Sequence, residues 1–466
     1  MERVWSADIP VRNRARKRGK IAVNVNFRRR RGKTSAFCDT GGQECPRSED
    51  FMSNLAISTQ FVHAGERRAA PLGVPAATPI YATSTFVYER MEDVDRVVEG
   101  ETSGFVYSRY GNPTVAALEA AMCEIENGKF AFAFGSGMAA LHAALLACEL
   151  STGSVVLASQ DLYGASLELL QTIFGAFGIK TVTADFSDIE NLRVKALELK
   201  PRVLIGETIS NPLLKILDVE NVALIAHNAG AKLIVDNTFA TPFLCQPLNF
   251  GADFVVHSAT KFLGGHADAT GGIVVAREEF DRPALMGALT LTGGILSAWE
   301  AHSILRGLKT LGLRLEKQCR NAERLAQVLL DFPQIEKVIY PGLADDAQTE
   351  IGERILNKCY RGAVLGIRLK TDSRDEVYKF MNALQLCTRA ASVGDIFTGI
   401  VHPATATHRE MSAAKRARLG ITEGLLRISA GIEEVEDIIA DIRQAFESVG
   451  AQTFLSAARV GSAHFR

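Results

Sequence analysis

The sequence predicts an α/β fold: a mostly parallel, seven-stranded sheet in a large domain, followed by a smaller α+β C-terminal domain. Three observations lead there. Seven short apolar runs recur between residues 130 and 277. Each is apolar at odd and even positions alike, and helical patterns such as "MAALHAALLACEL" and "DVENVALIAHNAGA" lie between several of them. Strands buried on both faces and alternating with helices call for a parallel sheet covered on each side. At 466 residues the chain also exceeds one ordinary core.

The runs carry their polar residues at their C-terminal ends, where open α/β sheets bind ligands. "FAFAFG" (130–135) opens into Ser136, Gly137 and Met138 and then a helix. "SVVLAS" (154–159) and "KTVTADF" (180–186) supply two more strands. "RVLIGET" (202–208) ends at Glu207 and Thr208, with Asn211 just beyond. "AKLIVDN" (231–237) ends at Asp236 and Asn237. "ADFVVHS" (252–258) leads to Ser258, Thr260 and Lys261, and "GGIVVAR" (271–277) closes the series. A loop explains any one of these ends, but hardly four on one sheet edge.

The overall composition is ordinary for a globular protein, 47% hydrophobic and 23% charged with net charge −1. That balance implies neither a nucleic-acid nor an acidic partner. No apolar stretch approaches a membrane span. The eight cysteines are scattered without a C-x-x-C pair, which suits reduced thiols in a cytoplasmic enzyme. Residues 1–51 differ: "RNRARKRGK" and "RRRRGKT" make a basic extension expected to be disordered. Its "GKT" is no phosphate loop, because Phe27 stands where the first glycine belongs. A transit peptide, a nucleic-acid arm and a translation start at Met52 remain open readings. His257, His266, His402 and His408 lack a ligand set at metal spacing, so no metal is expected.

Gly135, Gly137 and Ala140 fit a dinucleotide fingerprint, with Asp161 near the required distance. A nicotinamide oxidoreductase is therefore a rival. The separating residues are Asp236 and Lys261. Pyridoxal 5′-phosphate (PLP) needs an anion cradle, a carboxylate for its ring nitrogen and a lysine amine for a Schiff base, and all three stand at strand ends of one sheet.

Residues 54–450 resemble the PLP-dependent Cys/Met-metabolism (trans-sulfuration) family. The resemblance is carried by "YSRYGNPT" (107–114), "GSGMAAL" (135–141), "DLYGAS" (161–166), "ETISNPLL" (207–214), "VDNTFATP" (235–242), "HSATKFLGGHAD" (257–268), "RGLKTLGLR" (306–314), "HPATATH" (402–408) and "LRISAGIE" (426–433). It implies the PLP-dependent transferase fold (aminotransferase fold type I). It also implies an N-terminal arm over 52–113 reaching a partner subunit, a PLP domain over 114–312 and a small domain over 313–466. By the same resemblance Lys261 forms the Schiff base and moves protons, and Asp236 pairs with the ring nitrogen. Tyr163 stacks on the ring and acts as acid or base. Ser136, Gly137, Met138, Ser258 and Thr260 hold the phosphate. Asn211 lies beside the cofactor's 3′-oxygen, and Arg427 takes the substrate carboxylate with Ser392 beside it. Tyr107 and Arg109 reach the phosphate of a neighbouring subunit, making a homodimer that usually pairs into a homotetramer.

Two departures bear on the reaction. "SVGD" (392–395) stands where the family often has "SLGG" or "SLGD", and its Asp395 points to methionine γ-lyase or the sulfhydrylases. Ala165 follows "YG" where some methionine lyases have cysteine. The expectation is γ-replacement on an O-acylhomoserine by sulfide or a thiol, with γ-elimination from cystathionine or methionine as the alternative. A non-catalytic protein of this fold would have lost Lys261, Asp236 or Arg427, and none is lost.

Overall fold

The computed structural model describes residues 75–343, 348–409 and 411–450. The basic extension and residues 52–74 of the expected arm lie outside them. All seven apolar runs form strands of one sheet: β1 (Phe130–Phe134), β2 (Val155–Ser159), β3 (Lys180–Ala184), β4 (Val203–Glu207), β5 (Lys232–Asp236), β6 (Phe254–Ser258) and β7 (Gly272–Ala276). Their order is β1-β7-β6-β5-β4-β2-β3. The pairings among β2 to β6 are parallel, whereas β7 is antiparallel to both β6 and β1. The reason is local. Gly272 pairs with Ser258, so the chain leaving β6 re-enters the sheet at the same end. The intervening segment, which carries Lys261, is therefore a broad loop rather than a crossover.

Period-two alternation sends side chains into two cores. Ala131, Leu233, Val255 and Ile273 face one; Phe132, Ile234, Val256 and Val274 face the other. The first core is covered by α1 (Pro113–Ile125), and the second by α2 (Gly137–Ala147). The helices α3 (Ile189–Leu199) and α4 (Val219–Asn228) join the first core, and α5 (Arg282–Thr292) the second. Short polar residues start these helices: Asn112 accepts from the Thr114 N–H at 3.0 Å ahead of Pro113, and Ser136 accepts from the Ala139 N–H at 3.1 Å.

The helix α6 (Leu311–Leu329) serves two cores. Leu311, Leu315 and Cys319 pack with the large sheet, while Ala322, Leu325 and Leu329 pack with a smaller one. That second sheet comprises β8 (Ile335–Ile339), β9 (Val364–Leu369), β10 (Thr388–Arg389), β11 (Gly399–Val401) and β12 (Leu425–Ser429), in the order β10-β11-β12-β9-β8. Its helices α7 (Arg374–Ala383) and α8 (Val435–Val449) stack Phe380 on Phe446 at 4.1 Å between ring centres. Among the described residues no helix is long and apolar enough to cross a membrane.

Candidate active site

Burial relaxes at the C-terminal residue of three adjacent strands: Glu207 on β4, Asp236 on β5 and Ser258 on β6. Glu207 and Asp236 stand side by side in register. The Asp236 carboxylate accepts the Thr238 N–H at 2.9 Å. Among the described residues no lysine, arginine or histidine forms an ion pair with it. Burial pushes its carboxyl above the ordinary range, while Thr238 and the charge of His257 pull the other way. A carboxylate held this deep without a cation suits a protonated ring nitrogen.

Lys261 lies on the loop after β6. Burial lowers its ammonium, Arg427 adds to the lowering, and Asp395 opposes it. A lysine shifted down carries more of its free amine near neutral pH, the form that can attack a carbonyl or accept a proton. The loop is braced by Arg314 at the start of α6, whose guanidinium donates to the Phe262 carbonyl on the loop at 2.9 Å and to the Gly307 carbonyl at 2.9 Å. Gly265, at φ +73°, has no room for a Cβ against that guanidinium.

The anion cradle is a close approach of backbone and β6. A Cβ on Gly137 would stand 2.8 Å from Ser258 Cβ, so only glycine lets α2 begin beside Ser258. At that start Gly137 and Met138 are first-turn residues, whose N–H groups have no acceptor within the helix. The Thr260 hydroxyl lies 3.0 Å from the Gly271 N–H, which braces the loop. These residues fit a phosphate, and with Asp236 and Lys261 they fit PLP.

Arg427 comes from β12 and is 3% exposed. Its Nη1 donates to Asn211 Oδ1 and its Nη2 to the Ser392 carbonyl, each at 2.8 Å. Its Nε is buried without an acceptor. Burial brings the guanidinium down to about 10. Among the described residues it meets no carboxylate, which suits one arriving on a ligand. Asp395 is likewise buried with Oδ1 unpartnered.

Tyr107 and Arg109 lie elsewhere among their own neighbours. Arg109 donates to the Thr290 carbonyl at 3.0 Å and sits 4.5 Å from the Tyr110 ring centre, with Tyr107 exposed beside it. The four histidines are separately partnered. His257 pairs with buried Glu126 at 2.7 Å, and His266 meets the Gly264 carbonyl. His402 meets Thr405, and His408 meets Thr407. Asp161, the acid of the dinucleotide reading, is taken by Lys215 at 2.9 Å.

The sequence alone does not single out several contributors. Glu207 accepts the Tyr163 and Asn211 N–H groups. Phe239 lies under Arg427 at 5.7 Å. His408, pushed down to about 4 by burial and the charges of Arg427 and Arg416, is close to Asn211. Glu207's only signal was its place at a strand end.

Residues 58–447 match the family described as Cys/Met metabolism PLP-dependent enzyme. The chain is 40% identical over 400 residues to an L-methionine gamma-lyase of Fusobacterium nucleatum subsp. nucleatum, covering 85% of this chain and 100% of that one. It is 38% identical over 393 residues to a cystathionine gamma-lyase of Bacillus subtilis, covering 84% and 99%. The fold matches cystathionine gamma synthase from Xanthomonas oryzae pv. oryzae with a TM-score of 0.75 at 35% identity, over 80% of this chain and 94% of that one.

Proposed function

The chain belongs to the Cys/Met metabolism PLP-dependent enzyme family, and on that premise we propose that it is a carbon–sulfur lyase releasing the γ-thiol from methionine or cystathionine. The observation that carries this reading is the set of curated relatives, led by methionine γ-lyases and a cystathionine γ-lyase at 37–40% identity across almost their whole length. The expectation from Asp395 put replacement first; the relatives put elimination ahead of it.

Bound PLP supplies an electron sink for the bond electrons released at the substrate's α-carbon. The protein's residues do the rest. Arg427 receives the α-carboxylate through paired N–H donors, with Asn211 and Ser392 fixing the guanidinium plane. Lys261 Nζ, its basicity lowered by burial, anchors the cofactor and then takes the α-proton. Asp236 holds the ring nitrogen protonated, and Tyr163 covers the ring. Ser136, Gly137, Met138, Ser258 and Thr260 hold the phosphate. With loss of the thiol and uptake of one water, methionine gives methanethiol, ammonia and 2-oxobutanoate. Exposed Tyr107 and cationic Arg109 complete the phosphate site of a second subunit in a dimer that pairs into a tetramer.

A second reading, γ-replacement on O-acylhomoserine, is favoured by Asp395 in "SVGD" and by the likeness to a synthase. A substrate panel decides. Rapid 2-oxobutanoate from methionine or cystathionine alone supports the lyase. Homocysteine or cystathionine formed faster from O-acetyl- or O-succinylhomoserine with sulfide or cysteine overturns it in favour of the transferase.

A further inference from the structure

Glu207 ends β4 beside Asp236, and both its oxygens are occupied by backbone donors. Oε1 accepts the Tyr163 N–H at 2.6 Å, and Oε2 accepts the Asn211 N–H at 3.1 Å. Among the described residues it forms no ion pair. Burial and the neighbouring Asp236 charge push its carboxyl well above the ordinary range, and only the two N–H groups oppose them. Such a group is costly to keep for packing alone.

What it joins gives the reason. Tyr163 lies 44 residues before Glu207 and Asn211 four after. Asn211 in turn accepts from Arg427, which donates to Ser392. One polar line thus runs from the tyrosine loop, through the end of β4, to the central strand of the small sheet. We propose that Glu207 is a positioning residue that sets the spacing between Tyr163, over the cofactor ring, and Asn211, which orients the substrate-binding arginine. This rests on the roles given to Tyr163 and Asn211 above. A carboxyl group offers an oxygen to each of the two donors, whereas an amide of the same shape turns an NH2 toward one of them.

The test uses the holoenzyme. Glu207→Gln is expected to keep PLP bound, to reduce the visible circular dichroism of the cofactor, and to lower kcat about tenfold, the loss of one hydrogen bond. An unchanged dichroism band with kcat within about twofold overturns the clamp. Tyr163→Ala and Asn211→Ala are run beside it. If they alter the band and Glu207→Gln does not, the clamp fails and the site roles stand. If neither alters it, the roles fail and the clamp with them. Should Glu207→Gln not fold, amide hydrogen exchange on the wild-type holoenzyme decides. Slow exchange at Tyr163 and Asn211 is expected, and exchange as fast as in unbonded loop amides overturns the proposal.

Discussion

Replacing Arg427 with lysine tests the substrate end of the site. Arg427 makes two 2.8 Å bonds, to Asn211 Oδ1 and the Ser392 carbonyl, and keeps a buried Nε unpartnered for an incoming carboxylate. A lysine is a single point of charge and cannot serve both supports and a carboxylate. Loss of one hydrogen bond to a charged group costs about 1.5–3 kcal/mol, which lowers kcat/KM by about 10- to 150-fold. One orphaned acceptor adds about 1–3 kcal/mol of instability, visible as a lower Tm. The site also bears on pH. Burial brings the arginine to about 10, and the same burial lowers a lysine ammonium from an ordinary value that is already below arginine's. The variant's charge is then lost earlier as pH rises, so its KM should climb between about pH 7 and 9, while the wild type, charged up to about 10, shows no such climb from this group. The assay is 2-oxobutanoate release against substrate concentration at both pH values. A kcat/KM within about twofold of wild type at pH 7 would refute the two-pronged contact.

Lys261→Ala should abolish the visible band of the bound cofactor and lower turnover about a thousandfold; absorbance and product assays check both. Asp236→Asn should lower kcat about a hundredfold or more with little change in KM, because the charge acts on the developing electron pair; steady-state kinetics separates the two. Arg109→Ala should weaken PLP retention on dialysis, and subunit exchange with Lys261→Ala should restore part of the activity. No recovery in that mixture would argue for a site complete within one chain.

The strands were legible because each is apolar on both faces, and the candidate site was legible where that pattern breaks, at Asp236, Ser258 and Lys261. The strand order was not. "GIVVA" reads alike in either direction, so nothing in β7 announces that it runs against its neighbours. Arg427 sits mid-strand with no pattern to mark it, and only the resemblance in "LRISAGIE" reached it. Glu207 was visible only as a strand end; its bonds escaped because its partners are backbone N–H groups, which leave no mark in a sequence. Asp161 shows the reverse: spacing suggested a ribose contact, and Lys215 occupies it.

Arg427 projects from β12, which is flanked by β11 and β9. Its backbone cannot be moved without unzipping a ladder on each side, so descent with modification has little freedom to relocate the proposed carboxylate anchor. The segments holding Val393, Asp395 and His408 belong to no strand and carry no such penalty. Divergence of substrate preference among duplicated copies of such a gene would then accumulate in those loops, at a steady distance from an arginine that stays put.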